Sequence, residues 1–154
     1  MSTYYLDSSG IVKRYINETG SAWITATTDP ASRNEVLTSL ISGAEVVAAI
    51  CRSGRIGSIT RRTVTMALAA FKREFRMHFV ILYVLDQVID RAMTLAEKHG
   101  LRGYDSVQLA TAVEMQTERD LKNLPPLIFV SSDNQLLTAA RAEGLIVENP
   151  NNYP

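Results

Sequence analysis

The chain has 154 residues, 46% hydrophobic and 21% charged, with 16 basic and 16 acidic side chains that cancel to a formal net charge of zero. That length fits one domain with a substantial core, and the composition is ordinary for a globular protein. The balanced charge excludes a general polycation that coats nucleic acid, and the single cysteine, Cys51, excludes an internal disulfide framework and a cysteine-rich zinc site.

Residues 3–6 read as a short buried strand, and residues 8–16 as a helix with Ile11, Val12, Tyr15 and Ile16 at helical spacing. Residues 21–28 read as a second short helix that Asp29-Pro30 ends. Residues 35–38 are a weaker strand, and 39–52 a strong helix closed by Ser53-Gly54. Residues 60–76 carry Val64, Leu68, Phe71 and Phe75 at three- and four-residue steps, as an amphipathic helix does. A β-rich run at 79–84 leads to a helix over 86–99 with Gly100 at its stop. Residues 104–119 are helical, Pro125-Pro126 breaks the chain, and 127–130 form a strand. A helix over 134–143, a strand over 145–147 and a turn-like tail at 149–154 complete the order. Short continuous apolar strands alternating with helices predict an α/β domain over 1–154, its short parallel sheet flanked on both faces by helices. The first residues lack the basic start and long apolar stretch of a signal peptide. No apolar segment approaches the ~20 residues of a membrane span. A cytoplasmic protein with no membrane partner is therefore expected.

Four carboxylates stand out. Asp7 ends the run Tyr4-Tyr5-Leu6, Glu45 lies inside a largely apolar helix, Asp105 opens another, and Asp133 follows Phe129-Val130 and two serines. A carboxylate near apolar surroundings is costly unless its charge is offset, and a hard divalent cation with oxygen ligands is one such offset. Crevices of parallel sheets lie beyond the carboxyl ends of the strands, where Asp7 and Asp133 are expected. Each carboxylate also has an ordinary structural reading. Asp7 and Asp105 suit helix N-caps, Asp133 suits a first-turn acid behind a Ser132 cap, and Glu45 suits a solvated stripe with Ser42 and Arg52.

Four stretches resemble the PIN-domain superfamily, and within it the VapC-type toxin ribonucleases. They are Tyr4-Tyr5-Leu6-Asp7-Ser8-Ser9, Ser42-Gly43-Ala44-Glu45-Val46-Val47-Ala48-Ala49, the block from Leu101 to Ala112, which matches L-R-x-x-D-x-x-x-L-A-x-A, and the block from Phe129 to Leu137. Two positions depart from the commonest pattern: Tyr104 stands where a small residue is frequent, and Gln108 where His is frequent. The resemblance implies a PIN-like fold and a Mg²⁺- or Mn²⁺-dependent endoribonuclease, the toxin of a pair whose small antitoxin inhibits it, with a homodimer as the assembly. It implies that Asp7, Glu45 and Asp105 hold the principal metal and that Asp133 completes the acidic centre. Ser9 and Ser131 suit hydrogen bonds to those carboxylates or to phosphate, and equally suit turns and caps.

RNA needs positive surface near such a pocket. Arg52, Arg55, Arg61, Arg62, Lys72, Arg73 and Arg76 stand against the single acid Glu74 in that stretch. They suit phosphate contacts, or a solvated helix face. His78 and His99 show no metal-ligand spacing, and no phosphate-binding glycine motif is present. Two rival readings remain at this point: a hydrolase of small phosphate esters, and a binding module that keeps the fold without catalysis.

Overall fold

A computed structural model describes residues 1–154. Five strands, β1 (Thr3–Leu6), β2 (Glu35–Ser39), β3 (Val80–Leu82), β4 (Ile128–Val130) and β5 (Ile146–Glu148), form one sheet in the order β3-β2-β1-β4-β5. Every pairing is parallel. Seven helices connect or flank them: α1 (Ser8–Val12), α2 (Ser21–Thr27), α3 (Ser42–Arg55), α4 (Arg61–Glu74), α5 (Asp86–His99), α6 (Gly103–Leu121) and α7 (Asn134–Ala142).

Side chains alternate across the strands and so feed two cores. Tyr5, Leu37 and Phe129 point to one face and pack with Val88 and Leu95 of α5, Leu109 of α6 and Leu136 of α7. Leu6, Val36 and Val130 point to the other and pack with Ile11 of α1, Ile24 of α2, Ile50 of α3 and Phe71 of α4. Burial on both faces explains why the strands read as unbroken apolar runs. From β1 the chain builds outward through β2 and β3, then returns to add β4 and β5 on the other side. The crevice where that direction reverses opens between the ends of β1 and β4, the place where parallel sheets bind ligands.

Most element ends lie within two residues of the sequence expectation, and the first and third helices differ most. The first helix stops at Val12, and a tight turn carries the chain to Ile16. There the Ser21 hydroxyl satisfies the Ile16 carbonyl. The third helix starts at Ser42 because β2 extends to Ser39, which pairs with Leu82. It also runs through Ser53-Gly54 to Arg55. Gly54 is a packing glycine, not a stop, since a Cβ there would lie 2.5 Å from Val64 Cγ2. The left-handed residue that ends this region is Gly57, at φ 77°.

The tail forms a one-turn 3-10 helix, Pro150–Asn152, and docks on α2. Trp23 stacks on Tyr153 with ring centroids 4.8 Å apart. Gly20 permits this approach: it sits at φ 86°, and a Cβ would meet Pro150 O at 2.3 Å. Gly20→Ala combines left-handed strain with a backbone clash. It is expected to destabilise the fold by on the order of 3 kcal/mol, read as a lower urea midpoint. An unchanged midpoint would mean that the tail is not seated there.

Candidate functional site

Asp7 directly follows β1. Its backbone N–H donates to Val130 O at 3.1 Å, which ties it to β4. Its side chain caps α1, so the cap expectation holds. Oδ1 accepts from Gly10 N at 2.8 Å and from Ser9 Oγ at 2.7 Å, and Oδ2 accepts from Ser131 Oγ at 2.6 Å. The two serines also stitch the strand ends together. Ser9 Oγ accepts from Ser132 N at 2.8 Å, and Ser131 Oγ accepts from Asp133 N at 3.0 Å. Asp7 is 4% exposed and forms no ion pair. Burial pushes its pKa up to about 6, the hydrogen bonds from Ser131, Ser9 and Gly10 oppose this, and the nearby Asp105 charge adds to the rise.

Glu45 lies in the first turn of α3 and is half-buried. Its expected solvated stripe does not exist, because Ser42 on the same face is fully buried. Oε2 accepts from Gln108 Nε2 at 2.6 Å. Burial raises the Glu45 pKa most, the Gln108 hydrogen bond opposes it, and the charges of Asp7 and Asp105 raise it further.

The two remaining carboxylates exchange their expected cap roles. Asp105 is not a cap, since α6 begins at Gly103 without a side-chain capping bond. Asp133, not Ser132, caps α7, and its Oδ1 accepts from Gln135 N at 2.8 Å and Leu136 N at 3.1 Å. The Asp105 pKa is raised by burial first and by the Asp133 charge next, while Arg102 lowers it. Asp105 therefore has no structural hydrogen bond to explain its place.

Glu45 and Asp105 line an open cleft of about 1100 Å³ together with Ser8, Ser9, Ser132 and Tyr104. Asp7 lies beneath, behind Ser9. Of the seven basic residues singled out in the sequence, Arg52 and Arg55 line this cleft. Arg61, Arg62, Lys72 and Arg73 lie on α4, and Arg76 follows it, all exposed and none on the cleft wall. Arg73 instead donates to Glu74 at 3.3 Å. Arg102, beside Asp105 on the cleft wall, was not assigned from sequence. Its signal was its place in the Leu101-Arg102 start of the most distinctive motif. Gln108 and Tyr5 were missed as well, because a buried glutamine and a strand tyrosine carry no chemical signal until their partners are known.

The four carboxylates thus form a chain of mutually repelling charges: Asp7 with Asp105, Glu45 with both, and Asp105 with Asp133. None is in an ion pair. No three His, Cys, Asp or Glu side chains lie close enough together to hold one metal ion as arranged here. Asp7, Glu45 and Asp133 are turned to protein donors instead. The donor chemistry itself fits a hard divalent cation: the four side chains offer anionic oxygens only, from buried Asp7 through half-buried Glu45 and Asp105 to exposed Asp133, and none is tied up in an ion pair.

The raised proton affinity has a measurable consequence. An unfolded Asp7 releases its proton near 3.8 and the folded one near 6. Between those values the folded state binds more protons, so this contribution to stability is present at low pH and is lost as pH rises. The loss is on the order of 3 kcal/mol, from about 2 units at roughly 1.4 kcal/mol each. Glu45 and Asp105 shift in the same direction. Asp7→Asn is expected to raise metal-free thermal stability near neutral pH and to flatten its dependence between about pH 4 and 6. A variant with the wild-type slope would assign that slope to other groups.

No family model matches the sequence. Over 147 residues the chain is 30% identical to Ribonuclease VapC45 of Mycobacterium tuberculosis (strain CDC 1551 / Oshkosh), covering 94% of this chain and 93% of that protein. Among solved structures, PAE2754 from Pyrobaculum aerophilum superposes with a TM-score of 0.62 at 18% identity, covering 95% of this chain and 89% of that one. VapBC2 from Rickettsia felis, bound to a DNA fragment from its promoter, gives a TM-score of 0.60 at 17% identity, covering 96% and 98%. The structural likenesses show the fold, and the near full-length sequence match shows the family: the chain belongs to the VapC ribonucleases, with the PIN-domain fold.

Proposed function

We propose that the protein is an endoribonuclease that hydrolyses RNA phosphodiester bonds with Mg²⁺ or Mn²⁺, and that it is the toxin of a toxin–antitoxin pair. The observation that carries this reading is the run of carboxylates without ion pairs at the sheet's switch point, two of which, Glu45 and Asp105, line a cleft that also carries Arg52, Arg55 and Arg102. The relative named a ribonuclease supports the activity. Structural neighbours that include a toxin–antitoxin complex from Klebsiella pneumoniae support a small antitoxin as partner. Exposed apolar side chains running from Val80 and Tyr83 on and beyond β3 to Leu85, Ile89 and Met93 at α5 support a homodimer. No helix is long and apolar enough to cross a membrane.

In this reading Asp7, Glu45 and Asp105 would hold the principal cation, Asp133 would complete the acidic centre, and the bound positive charge would offset their mutual repulsion. A bound divalent ion supplies Lewis acidity, shielding the phosphodiester and acidifying water. Ser9 and Ser131 keep the Asp7 carboxylate fixed while it is charged. Arg52, Arg55 and Arg102 draw the RNA backbone into the cleft. Tyr104, 66% exposed on the cleft wall, offers a ring face to an unpaired base. The reaction needs no nucleophile from the protein.

Purified protein is expected to cleave RNA with Mg²⁺ or Mn²⁺ and to stop when EDTA removes the ion. Cleavage that continues in excess chelator would overturn the metal mechanism. Asp105→Asn tests the role of a single carboxylate cleanly, because Asp105 caps nothing. Its fold is expected to persist while kcat/KM falls by about 100-fold or more. An active variant would remove Asp105 from the site.

The two groups of arginines separate by salt dependence. Changing Arg52, Arg55 and Arg102 together to Gln is expected to lower the log–log salt slope of RNA affinity by about 2, at roughly 0.7 per phosphate contact. The matching change of Arg61, Arg62 and Arg73, which lie off the cleft wall, is expected to lower it less. Affinity is measured against salt in a catalytically inactive Asp105→Asn parent. A larger effect from the second triple would move the RNA track onto α4.

A further inference from the structure

We infer that Gln108 is the positioning residue for Glu45, and that the buried Tyr5 hydroxyl fixes which end of its amide faces the carboxylate. This rests on the metal-dependent nuclease reading above.

Gln108 lies on α6, in the core opposite α3, and is 1% exposed. Its amide reaches through the molecule to three partners. Nε2 donates to Glu45 Oε2 at 2.6 Å and to Ser42 Oγ at 2.8 Å, and Oε1 accepts from Tyr5 OH at 2.7 Å. An ionised carboxylate only accepts, so the NH₂ end must face Glu45. The phenol supplies the complementary half. Tyr5 is fully buried, and its phenol O–H donates to Oε1, the one acceptor the amide offers it. Turning the amide over would set its oxygen against Glu45 and its NH₂ against the phenol proton, losing both bonds at an amide that water does not reach.

The same network reaches the other buried carboxylate. Thr38 Oγ1 lies 2.8 Å from Ser42 Oγ and 2.8 Å from Leu6 O, the carbonyl just before Asp7. Hydrogen bonds therefore run from Glu45 through Gln108, Ser42 and Thr38 to the backbone that carries Asp7. An ordinary core would place apolar side chains here, since buried polar groups are costly unless paired. The full satisfaction of Gln108, beside a carboxylate that has no counter-ion, marks it as an orienting partner of the kind that ligands require.

The test uses Mn²⁺ titration calorimetry, with RNA cleavage beside it, on the wild type, Gln108→Met, Tyr5→Phe and the double variant. Gln108→Met keeps the length and volume but removes the amide. It is expected to bind Mn²⁺ roughly 10-fold or more weakly and to lower kcat with KM for RNA unchanged. Tyr5→Phe frees the amide to turn and is expected to weaken Mn²⁺ binding less. The double variant is expected to match Gln108→Met, because Tyr5 acts through Gln108. A merely structural amide would reduce the folded fraction and leave Mn²⁺ affinity per folded molecule unchanged. Wild-type affinity in Gln108→Met would therefore overturn the inference. If Gln108→Met does not fold, Tyr5→Phe decides in the same way. A wild type that binds no Mn²⁺ would overturn the nuclease reading itself, a result distinct from wild-type binding that the variants leave unchanged.

Discussion

The constraint on which the rest of this structure turns is a carboxylate kept out of water without a counter-charge. Asp7 is nearly inaccessible, and no lysine or arginine meets it. What holds it is a ring of neutral donors, Gly10 N, Ser9 Oγ and Ser131 Oγ. That ring closes only if β1 and β4 are parallel neighbours and end together, because one serine comes from each side of the switch point. The sheet order is therefore part of the electrostatics of the site. Any slip of register would carry Ser131 away and leave Oδ2 without its donor.

The two cores make this arrangement stiff. One face of the sheet is packed by α5, α6 and α7, and the other by α1 to α4. Glu45 comes from a helix of one layer and Asp105 from a helix of the other, so the site is the seam between them. The Tyr5–Gln108–Ser42 network crosses that seam inside the protein. It lets the layers meet at a polar joint in which the Gln108 amide and the Tyr5 hydroxyl are both paired. Close packing on both sides then transmits little freedom to the carboxylates.

A neutral net charge hides a sharp division. Negative charge is gathered at the strand ends and is only partly solvated, while Arg52, Arg55 and Arg102 stand on the wall of the same cleft. In the proposed reading an anionic polymer would meet the arginines first and reach the acidic centre once a bound cation had reversed the local sign. The raised proton affinities of Asp7, Glu45 and Asp105 come first from burial, and the repulsion between neighbouring carboxylates adds to them. Asp105, which makes no capping bond, shows that sequence position at a helix start does not by itself make a cap.

The sequence by itself determined the α/β order, the parallel sheet and the four carboxylates. Doubly buried strands must be continuously apolar, and an acid after such a strand is conspicuous. It also determined Asp86–His99 as a helix to the residue, since Gly100 in the left-handed conformation ends it. Helix boundaries near Ser39 and Gly54 were not legible. Whether Ser39 continues a strand depends on its partner Leu82, and whether Gly54 breaks a helix depends on Val64 packing against it. Only the tertiary structure decided which arginines face the cleft, that Asp133 rather than Ser132 caps α7, and that Gln108 holds Glu45. Apart from the Asp133 cap, which is local, those facts join residues far apart in the chain, 63 positions for Glu45 and Gln108 and 103 for Tyr5 and Gln108. Local pattern carries no record of them, because hydrogen bonds and desolvation are set by the neighbours that folding brings.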